Sequence, residues 1–248
     1  MVNQLELSVL GCWGGYPKGG EASSGYLLKY DNYYLLLDCG SAVLSKLQMM
    51  IPPEKLDAIV LSHYHPDHIA DIGVTQHALY VAKFIHQYDG CLPVYGHGQN
   101  EAEFDKLSYK DVMKGIPYES DQLLHIGPFS IVFFKTKHPV PCYGMRIEAG
   151  GKTLVYTGDT AFFEELAEFS KDADVLLAES NFYKGMDGTA AGHMTSEEAG
   201  RVANMAKVGK LILTHLPHYG NLNQLKTEAG EQYRGDILIA QEGLTVSL

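Results

Sequence analysis

Apolar and polar residues alternate in short runs from the start of the chain, and turn residues bound the runs. "LELSVLG" alternates as a half-buried strand, while "GYLLKY" and "NYYLLLD" flank Asp31-Asn32 as a hairpin. "SAVLSKLQMM" carries helical spacing and is halted by Pro52-Pro53. "LDAIVLS" predicts a buried strand, "IADIGVTQHALYVAKFI" a helix, "LPVYG" a short strand and "NEAEFDKL" a further helix. The second half repeats this style. "FSIVFFKTKH", "YGMRIEAG" and "KTLVYTGD" predict strands, with turns at Gly127-Pro128 and Gly150-Gly151. Helices follow in "AFFEELAEFS", "TSEEAGRVANMAKV" and "NQLKTEAGEQY", alternating with strands in "ADVLLAES", "KLILTH" and "DILIA". Strand-rich blocks followed by helix–strand alternation, twice over, combine α+β and α/β character. They predict two stacked sheets with helices outside, a four-layer α/β/β/α sandwich. No low-complexity tract, charge block or Pro/Ser linker interrupts residues 1–248, so one domain is expected.

Composition narrows the function classes. At 46% hydrophobic and 20% charged residues the chain has ample apolar material for a core. No apolar run approaches the ~20 residues that span a bilayer, so no membrane partner is expected. The opening "MVNQLELSVLG" has no basic stretch of the signal-peptide kind, which makes cytoplasm the expected location. The formal charge of −11 argues against a broad grip on nucleic-acid backbone, and two divalent cations would leave it acidic. A small-molecule substrate suits that balance; long nucleic acid does not. Cys12, Cys39, Cys91 and Cys142 are scattered without a C-x-x-C pair, so free, mostly buried thiols are expected.

The chemistry concentrates where the apolar run "AIVL" gives way to "SHYHPDHIAD". In an extended loop, residues two apart point the same way, so His63 and His65 can converge on one ion. Asp67 and His68 sit at the turn into the next helix and can face a second ion beside it. Neutral imidazole and carboxylate suit zinc, with manganese, iron or cobalt as alternatives. Capping of the following helix would account for Asp67 alone among the four. Three more ligand-type residues terminate apolar strands as His63 does: His138 after "FSIVFFKTK", Asp159 after "KTLVYTG" and His215 after "KLILT". Singly, each reads as a cap or an ordinary loop residue; together they point to one rim of strand ends.

The set His63, His65, Asp67, His68, His138, Asp159 and His215 resembles the metal-binding residues of the metallo-β-lactamase-fold superfamily of binuclear hydrolases. The resemblance covers essentially the whole chain in order. It implies two divalent metal ions, Zn2+ above Mn2+, Fe2+ or Co2+, and a metal-bridged hydroxide as nucleophile. His63, His65 and His138 would hold one ion, Asp67, His68 and His215 the other, with Asp159 between them. Asp67 would also orient the water or take its proton. Asp38, closing "YYLLLD", would orient a ligand histidine through its other ring nitrogen, although a strand-end turn explains it equally well.

"GHMTSEEAG" is similar to the Gly-His-Ser/Met-Thr motif of ribonuclease Z-like members, which places His193 beside the metals as an aid to phosphate cleavage. An ordinary residue ahead of a helix capped by Thr195 is the alternative. The long Gly/Pro-rich transfer-RNA-binding arm of ribonuclease Z has no room here. Two strands and a Gly150-Gly151 turn fill the interval between His138 and Asp159. The resemblance is therefore to an armless relative, and the leading reading is a phosphodiesterase for a small phosphodiester or nucleotide-type substrate. A carboxylic ester, sulfate ester or lactone hydrolase with the same metal site stands second. A ribonuclease Z-type endonuclease and a non-catalytic metal-binding sensor stand below both. Substrate selection is expected from "GCWGGYPKGGEASSG", where Trp13 and Tyr16 would stack on a ring; Trp13 in a homodimer interface is equally open. His77, His86, His97, His125 and His218 have no convergent partners in the pattern and are expected to be structural.

Overall fold

The hairpin at Asp31-Asn32 sets the frame. Tyr30 pairs with Tyr33 across it, and Asp31 takes a positive φ of 56°, which aspartate tolerates better than bulkier residues do. In the computed structural model, which describes residues 4–120 and 122–248, fourteen strands form two seven-stranded sheets. The first half contributes β1 (Glu6–Gly11), β2 (Gly25–Tyr30), β3 (Tyr33–Leu37), β4 (Ala58–Val60), β5 (Leu92–His97) and β6 (Met113–Tyr118). The second contributes β7 (Leu123–Ile126), β8 (Phe129–Lys135), β9 (Tyr143–Ala149), β10 (Lys152–Tyr156), β11 (Val175–Glu179), β12 (Lys210–Thr214) and β13 (Asp236–Ile239). The last strand, β14 (Thr245–Ser247), returns to the first sheet beside β1.

Each sheet is antiparallel on one side and parallel on the other. β1, β2 and β3 form an antiparallel meander, and β3, β4, β5 and β6 then run parallel. In the second sheet β7, β8, β9 and β10 are antiparallel, while β10, β11, β12 and β13 are parallel. The expected repeat of strand block and helix–strand alternation is thus the observed order. The parallel crossovers carry the helices: α1 (Val43–Leu47), α2 (Pro66–Ile69), α3 (Ile72–Phe84) and α4 (Glu101–Phe104) in the first half, α5 (Glu165–Phe169), α6 (Ser196–Ala206) and α7 (Leu222–Gln232) in the second. No helix among the described residues is long and apolar enough to cross a membrane.

The period of two along the strands decides the layers. Leu35, Leu37, Ala58 and Val60 join one core cluster with Phe129, Ile131, Phe133, Met145 and Tyr156 of the facing sheet. Their neighbours Leu36 and Ile59 point the other way, onto Val43 and Leu47 of α1 and Ile72 and Leu79 of α3. The runs "YYLLL" and "AIV" are continuously apolar because these strands are covered on both faces. Four layers follow: helices, sheet, sheet, helices.

Several elements depart from expectation. The helix in "SAVLSKLQMM" is only Val43–Leu47, and that in "AFFEELAEFS" only Glu165–Phe169. The helix predicted over "IADIGVTQHALYVAKFI" is α3, and the short α2 that precedes it is an addition, with Pro66 at its first helical position, where its missing N–H costs nothing. β6 is unpredicted because its Gly115 and Pro117 read as breakers; it lies at the sheet edge, where proline is tolerated. The short β7 and β14 are likewise additions.

Candidate metal centre

Polar residues close the central strands of both sheets at one rim. Asp38 follows β3, His63 follows β4, His97 ends β5, Asp159 follows β10, Glu179 ends β11 and His215 follows β12. A strand with both faces buried can carry such residues only at its end, where the chain leaves the core. Asp38 and His215 hold positive φ angles of 55° and 51°, uncommon for residues with a side chain, and here fixed by packing.

The structure brings together all seven residues expected at the centre. His63 Nε2 lies 3.6 Å from Asp159 Oδ2. His68 Nε2 is 3.4 Å from Asp159 Oδ1 and 3.5 Å from Asp67 Oδ2. His215 Nε2 is 3.1 Å from Asp67 Oδ2 and 3.3 Å from Asp159 Oδ2. His138 Nε2 approaches His65 Nδ1 at 3.2 Å. Two clusters share Asp159: His63, His65 and His138 in one, Asp67, His68 and His215 in the other, with ligand atoms in each within 4.8 Å of one another.

A ring of hydrogen bonds aims these side chains. Asp38, fully buried, accepts from the Ser62 backbone N–H, the Ser62 hydroxyl and the Tyr156 hydroxyl, and meets His68 Nδ1 at 2.7 Å. The orienting role expected for Asp38 is thus matched by its position. His138 Nδ1 donates to the Gly192 carbonyl at 3.0 Å, and the Gly15 N–H donates to Asp67 Oδ2 at 2.6 Å. Gly14 allows that close approach: a Cβ there would lie 2.3 Å from Asn181 Nδ2 and 2.7 Å from the His215 ring.

The residues fit divalent cations on electrostatic grounds. His63 Nε2, His68 Nε2 and Asp159 Oδ1 are buried and have no hydrogen-bond partner, a costly state unless something else takes up their lone pairs. Burial pushes the His63, His65 and His138 imidazoles below their ordinary pKa, and so keeps them neutral. Burial would raise Asp67 and Asp159, but the surrounding histidines outweigh it and hold both carboxyls well below the usual range. Burial alone would also lower His68, yet Asp159, Asp38 and Asp67 outweigh it and hold its pKa well above ordinary. A cation in the cradle would replace that proton.

His193 lies at the edge of this cluster. Its ring centroid is 5.2 Å from that of His138 and 5.1 Å from that of His215. Its Nδ1 meets Glu179 Oε1 at 2.8 Å. Burial works against the charged ring, but Glu179 overcomes it and raises the pKa to about 9. The expected Thr195 cap is also present, as a full capping box with Glu198, so the motif both starts α6 and presents His193.

Sequence reasoning missed Glu179, Asn181, Ser62 and Tyr156. Glu179 was findable, because it ends the apolar run "ADVLLA" as Asp159 and His215 end theirs. Trp13 is corrected: it is buried within its own chain and donates through Nε1 to Glu21 at 2.7 Å, so it does not offer an exposed ring for stacking. Tyr16, 60% exposed, is the open aromatic of that loop. It stacks on His218 with centroids 3.7 Å apart, and His218 Nε2 donates to the Gly14 and Tyr16 carbonyls. His218, expected to be structural, thus holds the glycine loop through these two bonds. Cys12, Cys39 and Cys142 are buried free thiols, and Cys91 is an exposed one.

Comparison with known proteins agrees with this geometry. The family model described as a beta-lactamase superfamily domain matches residues 33–216. The probable metallo-hydrolase YhfI of Bacillus subtilis strain 168 is 53% identical over 239 residues, spanning 96% of this chain and 98% of that protein. The crystal structure of YhfI, a metallo-beta-lactamase fold protein, matches with a TM-score of 0.98 at 50% identity, over 99% of this chain and 100% of that one. Ribonuclease Z of Salinispora arenicola strain CNS-205 is 24% identical over 306 residues, covering 100% of this chain and 97% of the enzyme. The crystal structure of a diphosphatase of the PhnP family matches with a TM-score of 0.79 at 18% identity, over 98% of both chains, a likeness of fold.

Proposed function

The chain belongs to the beta-lactamase superfamily, in the metallo-β-lactamase fold, and on that premise we propose that it is a metal-dependent hydrolase of small phosphodiesters, nucleotide-type substrates included. His63, His65 and His138 would hold one divalent ion, Asp67, His68 and His215 a second, and Asp159 both; zinc suits this donor set. Such a pair of ions, when bound, acidifies a water and stabilises charge that develops on phosphoryl oxygens. The remaining work falls to the chain itself. Asp67, fixed by the Gly15 N–H and by His215, orients the attacking water and accepts its proton. His193, kept cationic by Glu179 at neutral pH, turns its Nε2–H toward the leaving oxygen and protonates it as the bond to phosphorus breaks.

The observation that carries this reading is the Glu179–His193 pair set beside a two-carboxylate, five-histidine cradle. An alkoxide leaving group needs an acid, and an anionic phosphodiester is drawn to a site that concentrates positive charge. The relatives named ribonuclease Z and diphosphatase act on phosphate bonds by their names, which supports the choice. Transfer-RNA processing is disfavoured, because the segment between His138 and Asp159 is the β9–β10 hairpin, with no arm. A carboxylic ester or lactone hydrolase with the same centre is the second reading.

The test is turnover of bis-(p-nitrophenyl) phosphate against p-nitrophenyl acetate and a lactone panel, with metal content set by elemental analysis. Phosphodiesterase turnover with two ions per chain is expected; efficient esterase or lactonase activity without it would reject the proposal. His193→Ala should cut turnover of an alkyl phosphodiester far more than that of the p-nitrophenyl ester, whose leaving group needs no proton. Metal content should be unchanged.

A further inference from the structure

His97 ends β5 in the same way that the ligand residues end their strands, yet it takes no part in either metal cluster. The residue is 2% exposed, and neither ring nitrogen makes a well-formed hydrogen bond, although the Pro141 carbonyl lies close enough to raise the ring's pKa. A buried imidazole without a well-formed hydrogen bond is costly, and a partner from outside the chain would relieve that cost. The ring is wedged between aromatic neighbours, 4.3 Å from Tyr64 and 5.6 Å from Tyr143, centroid to centroid. Tyr64 donates its hydroxyl to the His97 carbonyl at 2.7 Å. Gly96 makes this arrangement possible, since a Cβ there would lie 2.5 Å from the Tyr64 hydroxyl.

His97 faces a recess of about 190 Å³ that borders the metal centre. Tyr64, His65, His97, Asn100, Glu103 and Pro141 line it, and His65 is a wall common to the recess and the cradle. Drug-sized pockets run from about 300 Å³ upward, so this one takes a single ring or a short chain. The polar groups around it are complementary to hydroxyls. Asn100 spends its carbonyl oxygen on the Glu103 N–H, which leaves its amide N–H groups as donors. Glu103 holds Lys106 through Oε1 and keeps Oε2 as an acceptor. Burial draws the His97 pKa down to about 4, the Pro141 carbonyl offsetting part of it, so the neutral ring offers one donor and one acceptor. A second phosphate would meet the Glu103 carboxylate, and an alkyl chain would leave His97 without a well-formed hydrogen bond. A hydroxyl, donor and acceptor at once, satisfies all three residues.

We propose that this recess is a substrate subsite for an uncharged, hydroxyl-bearing arm, a sugar ring or short polyol, with His97 as its buried hydrogen-bonding partner. The inference rests on the phosphodiester reading for the group to which that arm is attached. It assigns the recess a role in substrate choice, distinct from bond cleavage.

Binding to the zinc-loaded full chain tests it, with ribose 5-phosphate, n-pentyl phosphate and methyl phosphate as probes in calorimetry. Ribose 5-phosphate should bind about 5–30-fold more tightly than methyl phosphate, the worth of one or two new hydrogen bonds, and n-pentyl phosphate should gain less. His97→Leu should erase the ribose preference and leave methyl phosphate affinity unchanged. In the wild type, ribose 5-phosphate and free D-ribose should move the His97 imidazole resonances, whereas methyl phosphate should not; this holds whether or not the variant folds. Equal affinity for ribose and methyl phosphates, a preference that survives His97→Leu, or a larger gain for n-pentyl phosphate overturns the proposal. If no phosphate binds but D-ribose still moves His97, the subsite stands and the phosphodiester reading falls. If D-ribose and ribose 5-phosphate both leave His97 unmoved, the subsite falls.

Discussion

Replacing Glu179 with Gln removes the charge that holds His193 protonated while keeping most of the side chain's shape. Glu179 is fully buried and accepts from the Thr160, Asn181 and Met194 N–H groups as well as from His193 Nδ1. The variant should therefore be less stable at every pH, and the diagnostic is how that deficit changes with pH. The His193 pKa is raised from 6.5 to about 9 in the folded chain. At ~1.36 kcal/mol per pKa unit, that net shift is worth about 3 kcal/mol; burial opposes it, Glu179 is its chief source, and Asp159 and Asp67 add to it. The His193 side chain is 16% exposed, so solvent screening removes little of it. A folded-state pKa above the unfolded one stabilises fully below about 6.5, and the contribution disappears as pH rises through about 9. Urea unfolding with chelator present, from pH about 6 to about 10, should show the gap between wild type and Glu179→Gln narrowing by about 3 kcal/mol. In a His193→Gln background the same substitution should give a gap that does not depend on pH, which closes the double-mutant cycle. A gap of constant size in the wild-type background would refute the claim that Glu179 charges His193. The role of His193 as an acid would lose its support with it.

Three further outcomes follow from the geometry. Asp38→Asn places an amide where four donors point, and metal affinity should fall about 10–100-fold in chelator competition, as for other partners that orient ligand histidines. Gly14→Ala must displace Asn181 or the His215 ring, and a shift on the order of 1 Å at the centre should lower kcat/KM about 100-fold, measured on the best phosphodiester. Phe133→Ala empties a fully buried site stacked on Tyr118 at 3.8 Å, and should cost about 3–5 kcal/mol in urea unfolding while the metal content per folded chain stays the same.

The candidate ligand set was legible because its signal is local. His63, His65, Asp67 and His68 declare themselves by spacing, and His138, Asp159 and His215 by the same polar ending of an apolar run. Glu179 carries that signal too, closing "ADVLLA" as Asp159 closes "KTLVYTG", but it stands outside the ligand pattern that singled out Asp159. Its partner His193 lies on another segment, and only the loop leading into α6 brings the two to 2.8 Å. Trp13 shows the opposite failure. A tryptophan in a glycine-rich loop reads as exposed, but the loop folds back beside His215, and Trp13 bridges to Ser23 and Leu216.

By itself, then, the order of residues determined what depends on chain neighbours. Period-two apolar runs set the strands, their double-sided burial set a layered fold, and strand ends crowded with imidazole and carboxylate set the chemistry. What only the tertiary structure decided is which distant groups meet. It joined the Gly15 N–H to Asp67, Glu179 to His193 and Asp38 to His68 and Tyr156, and it left the His97 ring without a well-formed hydrogen bond beside a small recess. These meetings depend on how two twisted sheets stack and where their loops land. That placement comes from packing across the whole core, which short-range periodicity does not carry.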